Sequence, residues 1–316
     1  MWLNKSIDSI IVSIIIVNYN TCDLLIDCIN SIYDQTKDVG FEIIVVDNAS
    51  NDGSEIKVKE NFSEIIFIQS EENLGFGRAN NLGIQRAVGK YVLLLNSDTI
   101  LLNNSIKAFL DFHEKKSNNF EKIGAIGGEL LKIDKVSRNH SSQYFPKMMD
   151  EFKTIINALF FKLSKKIAYK FKDEAILTDT ETYKEVDYVT GADLFILKSL
   201  ILEFGCFDNN FFMYFEETDL QKRLVNAGYR NYLISGTNII HYEGASFNNK
   251  VSGNRVYMLD QSRFYYYKKH ESAIFYIAFR FLYFIVTLPL LFDFRLSYSI
   301  RFKLFLLRLG LRNRTI

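Results

Sequence analysis

The amino-acid sequence predicts an α/β protein, a Rossmann-like sandwich of helices around a largely parallel central sheet, followed by an amphipathic and hydrophobic helical tail. Three observations carry that expectation. Apolar, β-branched runs alternate with helical patterns through the first hundred residues, which is the signature of βαβ units. Amide and acidic residues follow directly on the carboxyl ends of those runs, where open α/β sheets bind ligands. After residue 250 the composition turns basic and aromatic.

Each element has its own local reason. Residues 12–17 (VSIIIV) read as a buried strand, after which Thr21 can cap a helix carrying Leu25, Ile29 and Ile32 at helical spacing. Residues 41–46 (FEIIVV) and 65–69 (IIFIQ) form the second and third strands, and a glycine-containing turn then leads into a helix from about 78 to 88. Residues 91–95 (YVLLL) make the fourth strand. Beyond it, 123–131 reads as a strand and 138–185 as an insertion, a polar loop followed by a basic-aromatic amphipathic helix. Order returns with a strand over 188–197, a helix over 216–227 stopped by Gly228, and a short strand over 230–235. With no internal repeat and no low-complexity linker, the two halves, 1–112 and 113–250, are expected to share one sheet, with 251–316 as the tail.

The composition narrows the function classes. The chain has 316 residues, 48% hydrophobic and 24% charged, with two prolines, so it can bury a substantial core, and disorder and collagen-like repeats are excluded. The formal charge of +1 hides an asymmetry: 251–316 carries +8 and 1–250 carries −7. An acidic body disfavours a nucleic-acid-tracking surface. Cys22, Cys28 and Cys206 read as buried hydrophobes in a reducing compartment, and residues 1–16 hold no apolar run of signal-peptide kind. Residues 273–292 (AIFYIAFRFLYFIVTLPLLF) approach the roughly 20 apolar residues that span a bilayer, but Arg280 and the flanking basic residues suit a helix lying in an anionic interface. A helix docked on the body of the protein is the alternative.

Chemistry concentrates at the strand ends. Strand one runs into Asn18-Tyr19-Asn20, strand two into Asp47-Asn48-Ala49-Ser50-Asn51-Asp52-Gly53-Ser54 and strand three into Glu72-Asn73. Asp47 is placed to accept from base or ribose donors, or else caps the next helix. Strand four delivers Asn96-Ser97-Asp98; an oxygen ligand there suits Mg²⁺ or Mn²⁺ bound mainly through nucleotide phosphates, the alternative being a plain turn. His241, after Ile239-Ile240, is a second ligand candidate or a structural histidine. The run Asn73-Leu74-Gly75-Phe76-Gly77-Arg78 invites a dinucleotide reading, yet it lacks the third glycine and follows the third strand, not the first. A turn whose backbone, with Arg78 and Asn81, approaches a phosphate or sugar is the simpler account. In 211–220 (FFMYFEETDL) five bulky apolar residues lead into Glu216, Glu217 and Asp219 at a helix start. The helix dipole alone favours acids there, but the apolar approach should desolvate one of them and raise its pKa toward that of a general base.

In order, the segments VSIIIVNYN, IIVVDNASNDGS, ENLGFGRANN, YVLLLNSDT, VTGADLFI, FFMYFEETDLQKRLVNAGYR and HYEGAS resemble the inverting family 2 glycosyltransferases. The likeness is strongest to the rhamnosyltransferase-like branch that builds bacterial surface polysaccharides, and it covers residues 13–246. The resemblance implies a GT-A fold, with a nucleotide-diphosphate-binding half continuous with an acceptor-binding half. It implies that Asn18, Tyr19, Asn20, Asp47, Asn48, Ser50, Asp52, Asn73, Gly75, Arg78, Asn81, Asn96 and Ser97 face the donor, a dTDP- or UDP-sugar. Asp98 then occupies the metal-binding end of the DXD motif, with Asn96 in place of its first Asp, and His241 a position that ligates the metal. Gly191-Ala192-Asp193 matches an acceptor-side motif. Glu216-Glu217 matches the family's Glu-Asp pair, so Glu217 is the expected base, one methylene longer than Asp. The implied enzyme is cytoplasmic, peripheral on the inner face of the membrane, and transfers a sugar to a glycan or lipid-linked acceptor. A degenerate, inactive sugar-nucleotide-binding scaffold is the rival, motivated by Asn96 and Glu217; a nicotinamide oxidoreductase rests on the glycine run alone.

Overall fold

Period-two alternation in the apolar runs decides which side chains meet which helices. In a computed structural model, which describes residues 10–135, 137–139, 141–151, 177, 180–242, 253–288 and 296–311, two structural units are distinguished. The first comprises 1–144, 173–209 and 216–249, the second 145–172, 210–215 and 250–316.

In the first unit, β1 (Val12–Asn18), β2 (Phe41–Asp47), β3 (Ile66–Gln69) and β4 (Tyr91–Asn96) are parallel in the order β3-β2-β1-β4. Ile14 and Ile16 of β1 point to one face, where α1 (Cys22–Gln35) and α4 (Ser105–Ser117) supply Leu25, Ile29, Ile32, Ile106 and Phe109. Ile15 points to the other, against α3 (Phe76–Arg86), α5 (Lys198–Glu203) and α6 (Glu216–Asn226). Burial on both faces is why β1, β2 and β4 read as unbroken apolar runs, while β3, at the sheet edge, is only partly buried. A short helix, α2 (Ser54–Asn61), links β2 to β3. Gly83 is where α3 comes closest to the sheet: a Cβ there would stand 2.4 Å from Ile15 Cγ2. Gly83→Ala should therefore destabilise the fold by about 1–3 kcal/mol through overpacking, read as a lowered denaturant midpoint.

The second half of the sheet departs from the expectation in detail. β10 (Asp193–Leu197) is antiparallel to β4, then come β6 (Ile123–Leu131) and β11 (Arg230–His241), and β5 (Thr99–Leu101) closes that edge. β8 (Tyr183–Val186) also pairs with β11, and β7 (Ser142–Gln143) pairs with β9 (Tyr188–Val189). The single strand expected over 188–197 is two strands interrupted at Thr190-Gly191-Ala192, and the strand expected to stop at 235 runs to His241 past an irregularity between Ile234 and Ile239. Helix α4 has no counterpart in the sequence reading. Thr21 stands at the N-cap of α1 without capping it: its hydroxyl donates to Asn18 Oδ1, and Asp52 Oδ2 accepts the Cys22 amide. The basic-aromatic helix expected after residue 151 and residues 243–246 of the last motif lie outside the described residues.

The second unit is helical: α7 (Gly253–His270), α8 (Ala273–Thr287) and α9 (Tyr298–Leu309). Tyr266, Tyr267, Phe279, Tyr283, Leu304 and Leu307 form its apolar centre. Within it lies Asp260, which accepts hydrogen bonds from Arg263 Nη1 (2.7 Å), Tyr283 Oη (2.6 Å) and Arg308 Nε (2.8 Å). Among the described residues no helix is long and apolar enough to cross a membrane.

Candidate active site at the carboxyl edge of the sheet

Parallel register brings the strand ends together: Asn18 lies opposite Asp47, and Val17 opposite Asn96. The buried Asn18 Nδ2 donates to Asp47 Oδ2 (2.7 Å) and the Ser54 hydroxyl (2.9 Å) and also reaches Ser50 Oγ (3.1 Å). Asp47 Oδ1 accepts from the Ser50 amide (2.8 Å) and Gln69 Nε2 (3.0 Å), and Thr21 Oγ1 meets Ser97 Oγ at 2.8 Å. Asn20 and Ala49 take left-handed backbones (φ 54° and 65°), and Asn20 crosses to the second turn by donating its amide to Ser50 Oγ. Burial pushes the Asp52 carboxyl up, but hydrogen bonds from Ser54 and the Cys22 amide outweigh it and hold the pKa below its usual value. Tyr19, between Asn18 and Asn20 in the same turn, is 42% exposed.

The glycine run serves packing. Gly75 enters α3 at φ 83°, ψ 178°, a region open essentially to glycine alone. Asn48 holds that turn, accepting from the Leu74 amide and donating to the Gly75 carbonyl, while Asn73 Oδ1 accepts from the Gly75 amide. A Cβ on Gly77 would lie 3.1 Å from Phe207 Cβ and 3.4 Å from Glu216 Cβ, so the start of α3 abuts the start of α6. Arg78 donates to the Asn209 carbonyl and Asn81 to the Phe207 carbonyl, so both hold the 207–209 loop.

The antiparallel pairing of β5 with β11 sets Thr99 opposite His241. His241 Nε2 consequently stands 3.3 Å from Asp98 Oδ1 and 3.3 Å from Asn96 Nδ2. Two donors sharing one cation at about 2.0–2.2 Å lie roughly 3.0–3.5 Å apart, so the carboxylate oxygen and imidazole nitrogen fit a divalent ion. Among the described residues no three His, Cys, Asp or Glu side chains converge on such a point, which leaves most ligand positions to phosphate oxygens and water.

Gly191-Ala192-Asp193 runs beside the same strand end, the Ala192 carbonyl accepting the Asn96 amide at 3.0 Å. Asp193 is fully buried: Oδ2 accepts the Gly128 amide (2.7 Å), and Oδ1 is enclosed without a partner. Burial pushes its carboxyl up to about 7, against the opposing pull of the Gly128 amide and His241. A Cβ on Gly191 would lie 3.0 Å from the Phe76 ring and 4.0 Å from Glu217 Cβ, which puts this turn next to the head of α6.

Residues Tyr214 and Phe215, which lead into α6, both have positive φ (73° and 67°). Strain of this kind persists only where surrounding structure over-determines it. Glu216 is buried. Glu217 is half-buried, and its Oε2 is enclosed without a hydrogen-bond partner. Burial raises the Glu217 pKa, although its own amide and that of Thr218 pull it down. Asp219, the third acid of the cluster, pairs with Arg223 at 3.0 Å, and Arg223 in turn holds the Phe204 and Cys206 carbonyls.

The sequence assigns Gln221 no role, yet its side chain both donates to and accepts from the Val189 backbone at 2.8 Å. It thereby ties α6 to the strand that feeds Gly191. The i,i+4 spacing to Glu217 was visible in sequence, but the strand partner was not. Thr21 is expected only as a helix cap and Gln69 only as a strand end, because their bonds to Asn18, Ser97 and Asp47 run laterally between strand ends.

The glycosyl transferase family 2 model matches residues 13–172. Rhamnosyltransferase WbbL of Escherichia coli is 27% identical over 73% of this chain and 83% of its own length. An N-acetylglucosaminyl-diphospho-decaprenol L-rhamnosyltransferase of Mycobacterium tuberculosis is 24% identical over 65% of this chain and 67% of its own. An uncharacterized glycosyltransferase of Rickettsia bellii is 33% identical over 44% of this chain, which spans only a fifth of that relative's length. Among solved structures, GalNAc-T7 with UDP, GalNAc and Mn²⁺ superposes with a TM-score of 0.57 at 15% identity, over 82% of this chain and 50% of that one. Staphylococcus aureus TarS gives 0.53 at 17% identity, over 80% and 38%. With its GT-A sheet and the family match spanning half its length, the chain belongs to glycosyl transferase family 2 and is a glycosyltransferase.

Proposed function

We propose that the enzyme moves a hexose from a nucleotide-diphosphate donor to a hydroxyl of a glycan or lipid-linked acceptor by a single displacement with inversion. Glu217 takes the proton from the acceptor hydroxyl as that oxygen attacks the anomeric carbon. The bond from that carbon to the diphosphate breaks, and the nucleotide diphosphate leaves with the electron pair. The observation that carries this reading is the enclosed, unpartnered Glu217 oxygen beside Gly191, in a unit whose sheet edge also presents the Asp98–His241 pair. Asp98 and His241 would hold Mg²⁺ or Mn²⁺, which when bound offsets charge on the departing diphosphate. The exposed Tyr19 ring and the Asn18–Asp47 network serve the nucleoside, 1–112 being the donor half and 113–250 the acceptor half. Asn73, Gly75, Arg78 and Asn81 act on the donor side by holding the Asn48 turn and the 207–209 loop.

The two rhamnosyltransferase relatives favour L-rhamnose from a dTDP or UDP carrier as the donor sugar, and the decaprenol in one name favours a lipid-linked acceptor. Surface polysaccharide synthesis on the inner face of the cell membrane follows, with 251–316 as the membrane-associating tail. Screening nucleotide sugars by thermal shift and then by nucleotide release tests the donor; release from none of them overturns the assignment. Chelation should abolish activity, and His241→Ala should raise the Mn²⁺ concentration for half-maximal rate roughly tenfold or more. Activity indifferent to chelation removes Asp98 and His241 from the ligand role.

A further inference from the structure

Helix α8 reverses the usual arrangement of a surface helix. Phe279, Tyr283 and Thr287, one turn apart, are its buried stripe. Every exposed residue on it is apolar: Ile274 (80% exposed), Ile277 (66%), Phe281 (64%) and Ile285 (48%) form a line at helical spacing, flanked by Phe275 and Leu282. A water-facing helix places polar residues there, and contiguous exposed apolar surface marks an interaction site. The charged residue of the helix, Arg280, turns inward. It donates to the Tyr276 hydroxyl and the Leu307 carbonyl and lies 4.8 Å from the centre of the Phe264 ring. The residue that interrupts the apolar stretch in sequence is therefore withdrawn from the exposed face.

Charge identifies the occupant. Neither α8 nor α9 contains an acid, Lys268 and Lys269 end α7 just before α8 begins, and Arg301 and Lys303 lie on α9 beside the exposed Phe302. An apolar stripe in a helix without acids, with basic residues on the helices before and after it, fits an anionic bilayer surface. At 15 residues the helix is about 22 Å long, against a hydrocarbon core of about 30 Å.

We propose that α8 lies in the plane of an anionic membrane with the Ile274–Ile277–Phe281–Ile285 line sunk among the acyl chains and Arg280 facing the protein. This rests on reading 251–316 as a membrane-associating tail and specifies which face makes the contact. The test is flotation of the full chain with vesicles of phosphatidylglycerol mixed with phosphatidylcholine, and with phosphatidylcholine alone. Ile277→Glu combined with Phe281→Glu should lower partitioning at least tenfold while thermal melting is unchanged, since both side chains are exposed. Lys268→Glu with Lys269→Glu should lower binding to the anionic vesicles alone. Phe281→Trp fluorescence should be quenched by brominated acyl chains. If the chain floats but the paired glutamates float equally well, the α8 face is overturned and the membrane-associating tail stands. If the chain floats with neither vesicle, both fall. A dimer in solution that the paired glutamates dissociate, with no vesicle binding, overturns the proposal in favour of a second copy of the chain.

Discussion

Replacing Glu217 with glutamine is expected to lower kcat by roughly 10²–10⁴-fold, the range typical of a lost general base, with donor affinity retained. Glutamine keeps the volume and one carbonyl oxygen, so the packing against Gly191 survives while the proton acceptor is lost. The pH profile supplies an independent reading. Burial raises the Glu217 pKa, and the base works only when ionised, so wild-type kcat/KM should climb with pH through that raised value and stay flat at higher pH. The glutamine variant should lose the climb. Glu217→Asp, the shorter acid, should retain the profile at reduced rate because the carboxylate withdraws by one methylene. A glutamine variant that folds, binds donor and turns over at the wild-type rate places the base elsewhere.

Asp260→Ala should be the most damaging substitution outside the catalytic centre. Asp260 is buried with Arg263, Arg308 and the Tyr283 hydroxyl all donating to it. Burial alone would push the two guanidiniums' pKa values down; carboxylates, Glu151 foremost for Arg263 and Asp260 for Arg308, more than offset it. Removing Asp260 strands the buried Arg308 guanidinium and leaves Arg263 its pair with Glu151 (3.1 Å); breaking a buried pair costs about 3–5 kcal/mol. Hydrogen exchange should show protection lost across α7, α8 and α9 and kept in β1 and β4. Adding Arg308→Met should restore part of the loss, because the uncompensated charge is then removed as well. Unchanged exchange in all three helices would mean that the cluster contributes nothing to that unit.

Local chemistry made much of this legible. β1, β2 and β4 announce themselves as apolar runs because both faces are covered, and their polar ends are readable because amide and acidic residues interrupt those runs. Asn18, Asp47, Asn96 and Asp98 follow from that punctuation, and Glu217 from the apolar run that leads into a helix start. Helix α4 was not legible: its inward side, with Ser105 and His113 buried beside Ile106 and Phe109, blurs the apolar stripe. The interruption at Gly191 was hidden for the opposite reason, since the residues on either side of the turn are all compatible with one strand.

The sequence by itself determined the α/β architecture, the carboxyl edge as the place of chemistry and the glycosyltransferase family, all of which rest on residues near one another in the chain. Tertiary structure alone decided that His241 comes to Asn96, 145 positions away, that Gln221 pins the Gly191 segment, and that Arg280 turns inward and leaves α8 an apolar outer face. Each of these depends on which strand pairs with which and which side of a helix meets a core. Those choices are settled by the packing of the whole unit, because no short stretch of chain holds the energy that selects them.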